Sequence, residues 1–183
     1  MVLTLNCRNS REIATETRML SRPRAFAPSQ IDGGPVHYEW YDGDADHIAA
    51  LRRLLDRLLG HHGLRPGQIT LLSPHASPDW LGDLQAALDY RLRYLDEEDA
   101  GLLMARRLTS ISFCPVSGIK GLENDAIVLT DIANVEDEWA RAVLYVGMSR
   151  ARAQLFMVLP VTLKTAYERL VREWMVSLQH AGA

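Results

Sequence analysis

Leu-Tyr-Val-Gly-Met-Ser-Arg-Ala-Arg-Ala-Gln-Leu-Phe-Met-Val, residues 144–158, is the stretch that decides the fold. Its pattern predicts an apolar helix that ends at two arginines, Arg150 and Arg152, and continues directly into a strand. A guanidinium at the end of a packed element keeps its charge and can donate paired hydrogen bonds to phosphate oxygens. Such a group can stabilise the charge on a transferring phosphoryl group. The alternative is a surface pair at a helix C-terminus, where cations are favourable in any case.

A second motif lies upstream, Ser117-Gly-Ile-Lys-Gly-Leu-Glu123, and an apolar run at 126–130 follows it. The glycines on either side of Lys120 allow the backbone to approach a ligand closely and leave N–H groups available to anions. Lys120 adds a positive charge, and the carboxylate of Glu123 could accept a ribose hydroxyl. Taken alone, this is a weak signal, because similar glycine–lysine turns occur in many loops.

A third motif is at the N-terminus, Leu3-Thr-Leu-Asn-Cys-Arg-Asn-Ser-Arg-Glu-Ile13, in which Asn9 or Ser10 would cap the following helix. The order of the three motifs resembles motifs IV, V and VI of the UvrD/Rep-like superfamily 1 helicases. The N-terminal segment is similar to the family's Leu-x-x-Asn-Tyr-Arg-Ser/Thr. The alternative for Arg8 is an ordinary arginine at a helix start.

The resemblance implies a C-terminal RecA-like (2A) domain spanning residues 1–183. The expected fold is a three-layer α/β domain with a mostly parallel sheet and helices on both faces. It also implies roles for individual residues: Arg150 and Arg8 as catalytic arginines at the γ-phosphate; Lys120, Gly121, Glu123 and Arg152 in nucleotide binding; and Ser117 and Gly118 in nucleic-acid binding.

The family's nucleotide site has a second half that this sequence lacks. No Gly-x-x-x-x-Gly-Lys-Ser/Thr occurs, so there is no P-loop to hold the β- and γ-phosphates. Asp131 ends an apolar run as a magnesium ligand would, but Ile132 follows it, so Asp131 is expected to be a loop residue at a strand end. The resemblance therefore implies ATP and Mg²⁺ in a full-length protein, with no tight binding by this chain alone. The implied partners are an N-terminal P-loop (1A) domain, in the same or another chain, and single-stranded DNA.

The sequence also departs from the family pattern. Cys7 stands where the family has an adenine-stacking aromatic residue, and Pro115 and Ser117 stand where it has strand-contacting Thr and His. Ser149 replaces a Thr before the motif VI arginine. Two other classes of function therefore stay open: a degenerate, non-enzymatic helicase-like module that binds a protein or nucleic acid, and a small phosphate-handling α/β enzyme that acts alone.

Charge and composition bear on nucleic-acid binding, the cellular compartment, membrane insertion and metal binding. A formal charge of −3 argues against nucleic-acid binding through bulk electrostatics, although arginines cluster in the first 24 residues. Two cysteines, Cys7 and Cys114, suggest buried thiols in a reducing compartment, and we expect a cytoplasmic protein. No apolar run approaches the length of a membrane span. His61 and His62 are neighbours without a ligand at metal-binding spacing, so no metal site is expected.

Hydrophobic periodicity predicts the order of elements. Strands are expected at 2–5, 36–41, 68–73, 111–114, 126–131 and 154–159. Helices are expected at about 44–59, after the Ser77-Pro78 pair through Leu81, Leu84 and Leu88, and along a final stripe of Leu163, Tyr167, Leu170, Trp174 and Leu178.

Two segments carry less regular patterns. Residues 21–35 read as a turn-rich connector. Residues 75–110 lie where the family inserts its 2B domain, and their length suits only a short insertion of one or two helices. The acidic run 96–99 is expected to be a solvated face, because adjacent carboxylates on a short polar run seldom form a metal or nuclease site.

Overall fold

A computed structural model describes residues 8–23 and 28–181. The predicted strand at 2–5 and the position of Cys7 lie outside these residues. The strands are β1 His37–Tyr41, β2 Ile69–Ser73, β3 Leu92–Tyr94, β4 Ile111–Pro115, β5 Asn124–Thr130 and β6 Ala151–Pro160. The helices are α1 Arg11–Ser21, α2 Asp44–Gly60, α3 Trp80–Ala87, α4 Glu97–Met104, α5 Glu138–Met148 and α6 Lys164–Ala181, with short 3-10 turns at Pro66–Gln68 and Val161–Leu163.

The six strands form one sheet in the order β1-β6-β5-β2-β4-β3, and every pair in it is parallel. The central strands are buried on both faces, which explains why they read as continuous apolar runs. Along β5, Ile127 and Leu129 pack into one core, whereas Ala126 and Val128 pack into the other. This alternation is the ordinary two-residue period of a strand.

Helices cover both faces of the sheet. The first core joins the sheet to α1, α4, α5 and α6, and the second joins it to α2 and α3. Helix α2 shows the packing most clearly, because Leu51, Leu54, Leu55 and Leu58 recur at helical spacing and all are fully buried. The prediction of a three-layer, RecA-like α/β fold with a parallel sheet is confirmed.

The segment 75–110 contains α3 and α4, and between them β3, which the sequence did not predict. Strand β3 has only three residues, pairs with β4 and is an outermost strand of the sheet. Helix α3 begins at Trp80 rather than near Ser77, since the preceding chain makes a turn in which the Leu81 amide donates to the Pro78 carbonyl. Leu88 lies just beyond its end.

The acidic run 96–99 is only in part the solvated face that was predicted, because Asp96 and Glu98 are exposed but Asp99 is buried. Asp96 caps α4 by accepting from the Asp99 amide. Asp99 itself is fully buried, with one carboxylate oxygen 2.7 Å from Arg93 Nε. A buried carboxylate needs such a partner. The run therefore starts a helix and ties it to β3.

The final helix packs largely as its stripe predicts. Leu170 is buried, and Leu163, Tyr167 and Trp174 pack against the first core, but Leu178 is 49% exposed. Within residues 8–23 and 28–181, no helix is both long and apolar enough to cross a membrane.

Candidate functional site

Residues from all three motifs meet at the edge of the sheet where the parallel strands begin, which we call the amino-terminal edge. Arg8 lies just before α1, Glu123 directly precedes β5, and Arg150 and Arg152 flank the first residue of β6. Arg8 Nε is 2.8 Å from Glu123 Oε2, and both side chains are partly exposed. We call Arg8, Arg150 and Arg152 the arginine cluster.

Asn9 holds the backbone on both sides of Arg150. Its buried side-chain amide donates to the carbonyl of Ser149 at 3.1 Å and to that of Ala151 at 2.5 Å. The carbonyl of Arg150 accepts from the Asn124 amide at 3.2 Å. Ser10, rather than Asn9, caps α1 by accepting from the Ile13 amide. Sequence reasoning gave Asn9 only as a candidate cap, because nothing in the sequence points to carbonyls so distant along the chain.

The guanidinium of Arg150 is oriented by the helix that precedes it. Nε donates to the Val146 carbonyl and Nη2 donates to Ser149 Oγ, each at 3.1 Å. Burial lowers the pKa of Arg150, the neighbouring Arg8 lowers it further, and Glu123 opposes both effects. An arginine nevertheless stays protonated. The two positive charges therefore lie near each other, and the carboxylate of Glu123 offsets part of their repulsion.

Arg152 extends the arginine cluster along the amino-terminal edge of the sheet. Its Nε lies 3.6 Å from Glu123 Oε1 and 4.0 Å from Asp125 Oδ1. Asp125 also pairs with Arg106 at 3.6 Å and accepts from the side-chain amide of Gln68 at 2.8 Å. The sequence analysis did not identify Asp125, Arg106 and Gln68, because they come from three separate segments, the start of β5, the loop after α4 and the 3-10 turn before β2, which only the folded sheet brings together.

The remaining predicted residues lie on loop 116–123, which joins β4 to β5. Because these strands are parallel, the loop must cross from one edge of the sheet to the other. Ser117 and Gly118 are exposed where β4 ends, whereas Gly121 and Glu123 are at the amino-terminal edge. Lys120 is exposed shortly before Glu123. Gly121 has a φ of +83°, a conformation that favours glycine. Gly121, Glu123 and Arg152 therefore lie at the edge opposite to Ser117 and Gly118.

A cavity of about 800 Å³ adjoins the arginine cluster. Its lining combines loop 65–68, the end of α4 with residues 106–109, and the start of β5. Glu123 and Arg152 belong both to this cavity and to the charged group described above.

A second cavity of about 480 Å³ lies at the opposite, carboxyl-terminal edge. Asp131 follows β5 as the predicted loop residue, with a φ of +66°. It accepts from Ser73 Oγ at 2.9 Å and from Trp80 Nε1 at 3.2 Å. Among residues 8–23 and 28–181, no group of three or more His, Cys, Asp or Glu side chains could hold a metal ion.

The buried thiol of Cys114 lies near the end of β4. Burial raises the pKa of this thiol to about 11, so at neutral pH it is protonated and weakly nucleophilic. Pro115 is buried in the same strand, paired with Ser73 of β2.

The structure is similar to the C-terminal domain of a "possible DNA helicase" from Lactobacillus plantarum WCFS1, with a TM-score of 0.60 and 19% sequence identity over 84% of this chain and 86% of that chain. It also matches the C-terminal part of the Fun30 ATPase domain at a TM-score of 0.44 and 15% identity, over 63% of this chain and 40% of that one.

At these identities, the first likeness establishes the fold alone. No protein-family model matches the sequence, and no curated protein matches it.

Proposed function

We propose that this chain is the C-terminal motor domain of an ATP-dependent superfamily 1 DNA helicase or translocase. In this role it supplies the arginine fingers and half of the ATP cleft. The observation that carries the proposal is the convergence of Arg8, Glu123 and Arg150 at one edge of the sheet. These residues come from three separate sequence motifs, and the resemblance to the helicase family implies that all three contact one nucleotide.

In the assembled enzyme, Arg150 and Arg8 contact the γ-phosphate and stabilise the charge that develops as it is transferred. Arg150 suits this task because its own helix already orients the guanidinium. Arg8 pairs with Glu123 before nucleotide binds. When nucleotide arrives, a phosphate replaces the carboxylate as the partner of Arg8, and Glu123 then accepts a ribose hydroxyl.

Lys120, Gly121 and Arg152 line the nucleotide side of the cleft in this proposal. The P-loop domain, in the same or another chain, completes the cleft and supplies most contacts to the β- and γ-phosphates and to Mg²⁺. The chain alone is therefore inactive as an ATPase.

Loop 116–123 provides a direct route from ATP to DNA. One end carries Glu123 in the nucleotide cleft, and the other carries Ser117 and Gly118, which contact single-stranded DNA in this proposal. Closure of the two motor domains on ATP is a hinge motion, and it would move both ends of the loop together.

The experiment that tests the proposal is an ATPase assay of the purified chain, alone and mixed with the P-loop domain of its full-length protein or operon. We expect background activity alone, with ATP binding no tighter than about millimolar, and strand-stimulated turnover in the mixture. Strand-stimulated turnover by the chain alone would overturn the half-site argument. A mixture that forms a complex without turnover would favour the non-enzymatic module.

A further inference from the structure

We propose that the cavity of about 480 Å³ at the carboxyl-terminal edge binds a guanidinium group, carried either by a small molecule or by an arginine side chain of a partner protein. Its volume lies within the usual range of small-molecule sites, roughly 300–1,000 Å³. The cavity is at the edge opposite to Glu123 and Arg152. The inference therefore does not depend on the function proposed above.

The topology of the sheet opens a crevice at this position. Strands β2 and β5 are neighbours, but the chain leaves β2 toward α3 in the second core and leaves β5 toward α5 in the first core. In open parallel sheets, ligands bind outside the carboxyl ends of two such strands, because the connections to opposite faces leave space between them. Asp131 follows β5, and its Oδ2 atom accepts from Ser73 Oγ, at the end of β2, at 2.9 Å. Asp131 therefore lies at the crevice.

A buried histidine in the lining has one ring nitrogen without a partner. His47 is only 4% exposed. The hydroxyl of Thr130 donates to the Val158 carbonyl at 3.3 Å, so it accepts the 2.6 Å hydrogen bond from His47 Nε2. In the neutral ring, Nδ1 is then an acceptor. Among the described residues nothing donates to Nδ1, and the atom is not fully enclosed by protein, so a donor in the cavity can reach it.

The charged groups of the lining are carboxylates without cationic partners. Asp44, Asp79 and Asp83 are exposed, and none of them, nor Asp131, forms a salt bridge with a described residue. By contrast, Asp46 in the same helix as Asp44 lies 3.4 Å from an arginine. Asp131 uses only Oδ2 in its bonds to Ser73 and Trp80, which leaves Oδ1 available. With no metal-binding group among the described residues, these acceptors fit an organic cation.

Aromatic side chains in the lining favour a planar cation. Tyr41 stacks on His47 with ring centroids 4.2 Å apart, and Trp80 meets the same imidazole edge to face at 5.3 Å. A guanidinium is flat, stacks on aromatic rings and donates five N–H bonds in a fixed fork that a carboxylate can accept in pairs. An ammonium group is more strongly hydrated and lacks the flat face. The lining therefore selects a guanidinium over an ammonium group.

Amide NMR titrations of the whole 183-residue chain, in about 150 mM NaCl to screen bulk attraction, test the inference. The probes are N-acetyl-arginine amide, its neutral isostere N-acetyl-citrulline amide, N-acetyl-lysine amide and ethylguanidine. We expect the arginine probe to shift amides of residues 41–48, 75–83 and 131 and to leave residues 121–125 unmoved. It should bind at least about tenfold more tightly than the citrulline probe and at least about threefold more tightly than the lysine probe.

A matched pair of double variants tests the carboxylates. Asp44→Asn/Asp83→Asn removes two charges from exposed positions in the lining, so the variant should fold. Affinity for the arginine probe should fall at least about fivefold, with no change for the citrulline probe. Asp89→Asn/Glu168→Gln removes the same charge from exposed positions outside the lining and should leave both affinities unchanged.

The two carriers of a guanidinium are distinguished by the probes themselves. If N-acetyl-arginine amide binds as tightly as ethylguanidine, the cavity accepts a side chain attached to a peptide backbone, as in a partner protein. If ethylguanidine binds much more tightly, the cavity is a small-molecule site. Both results support the guanidinium assignment.

Three results would overturn the inference. Equal binding of the arginine and citrulline probes would show that charge plays no part. Equal binding of the arginine and lysine probes would show that the lining does not select a guanidinium. Equal losses in the two double variants would reduce the attraction to the overall charge of the chain.

Discussion

The two edges of the sheet differ in charge and in the kind of contact they make. At the amino-terminal edge, arginines outnumber carboxylates around a cavity that adjoins Arg8 and Arg150. Among the described residues, no Lys or Arg lines the carboxyl-terminal cavity. Its lining instead carries four aspartates, Asp44, Asp79, Asp83 and Asp131, together with Trp80, His47 and Tyr41. One fold thus presents an anion-attracting edge and an anion-repelling edge, and the chain's net charge of −3 hides this separation.

The difference in charge affects where the proposed ligands can bind. Phosphate groups are favoured at the amino-terminal edge and disfavoured in the carboxyl-terminal cavity. A nucleic-acid strand at the carboxyl-terminal edge would therefore contact the exposed loop at Ser117 and Gly118 rather than enter the cavity. Among the described residues, loop 116–123 is the shortest crossover that returns the chain from the carboxyl-terminal edge to the amino-terminal edge.

The largest expected effect is on catalysis at the amino-terminal edge. In an assembled enzyme containing the P-loop domain, Arg150→Ala should reduce kcat by roughly 10³ or more with little change in nucleotide affinity, because an arginine finger acts on transition-state charge. Arg152→Ala should be milder, since Arg152 is paired with Glu123 and Asp125. Steady-state kinetics would measure the loss of kcat in each variant. Arg172→Ala, at an exposed position on α6, is the control. Equal losses from Arg150 and Arg152 would mean that the pair is structural.

The next effect is on stability. Asn9→Ala removes the donor from the carbonyls of Ser149 and Ala151, and a lost buried hydrogen bond typically costs 1–3 kcal/mol, so we expect about 2 kcal/mol less stability. Urea unfolding of this chain would measure the change. Asn134→Ala, in an exposed loop, is the matched control and should cost much less. If the Asn9→Ala variant is as stable as the wild type, Asn9 does not hold the start of β6.

Much of the fold follows from local patterns, because β5 and β6 are apolar runs and α2 repeats leucines at helical spacing. Strand β3 could not be predicted, since its three residues include Arg93, which turns to the buried Asp99. The motif order brought Arg8, Glu123 and Arg150 into one hypothesis. The contacts of Asn9, Gln68, Arg106 and Asp125 could not be predicted, because each depends on which loops the sheet order brings together.

A third prediction concerns the carboxyl-terminal edge. Single-stranded DNA should bind this chain weakly, and the binding should fade as salt rises from about 50 to 200 mM, because only a few phosphate contacts can form. If the strand passes near the acidic cavity, Asp83→Asn should improve binding slightly, whereas Glu168→Gln on exposed α6 should not. Fluorescence anisotropy with a short oligonucleotide decides this. Submicromolar binding at physiological salt would reveal strand contacts outside loop 116–123.

The smallest expected effect is a pH dependence at the same edge. His47 is buried, stacks on Tyr41 with ring centroids 4.2 Å apart, and shares a hydrogen bond of 2.6 Å with Thr130 Oγ1. Burial lowers its pKa below the usual 6.5, although Asp131 and Asp44 oppose the shift.

The unfolded chain therefore binds this proton more readily than the folded protein does. The stability that neutral His47 contributes is present above pH 6.5 and is lost as the pH falls through the lowered pKa. The free energy of unfolding of the wild type, relative to His47→Gln, should thus decline between neutral pH and pH 5, by less than the cost of Asn9→Ala. Asn134→Ala, at an exposed loop residue that does not titrate, should show no such trend. If the free energies of unfolding of the wild type and His47→Gln change in parallel with pH, the prediction is wrong. The nearby aspartates would then stabilise the charged imidazole enough to cancel the effect of burial.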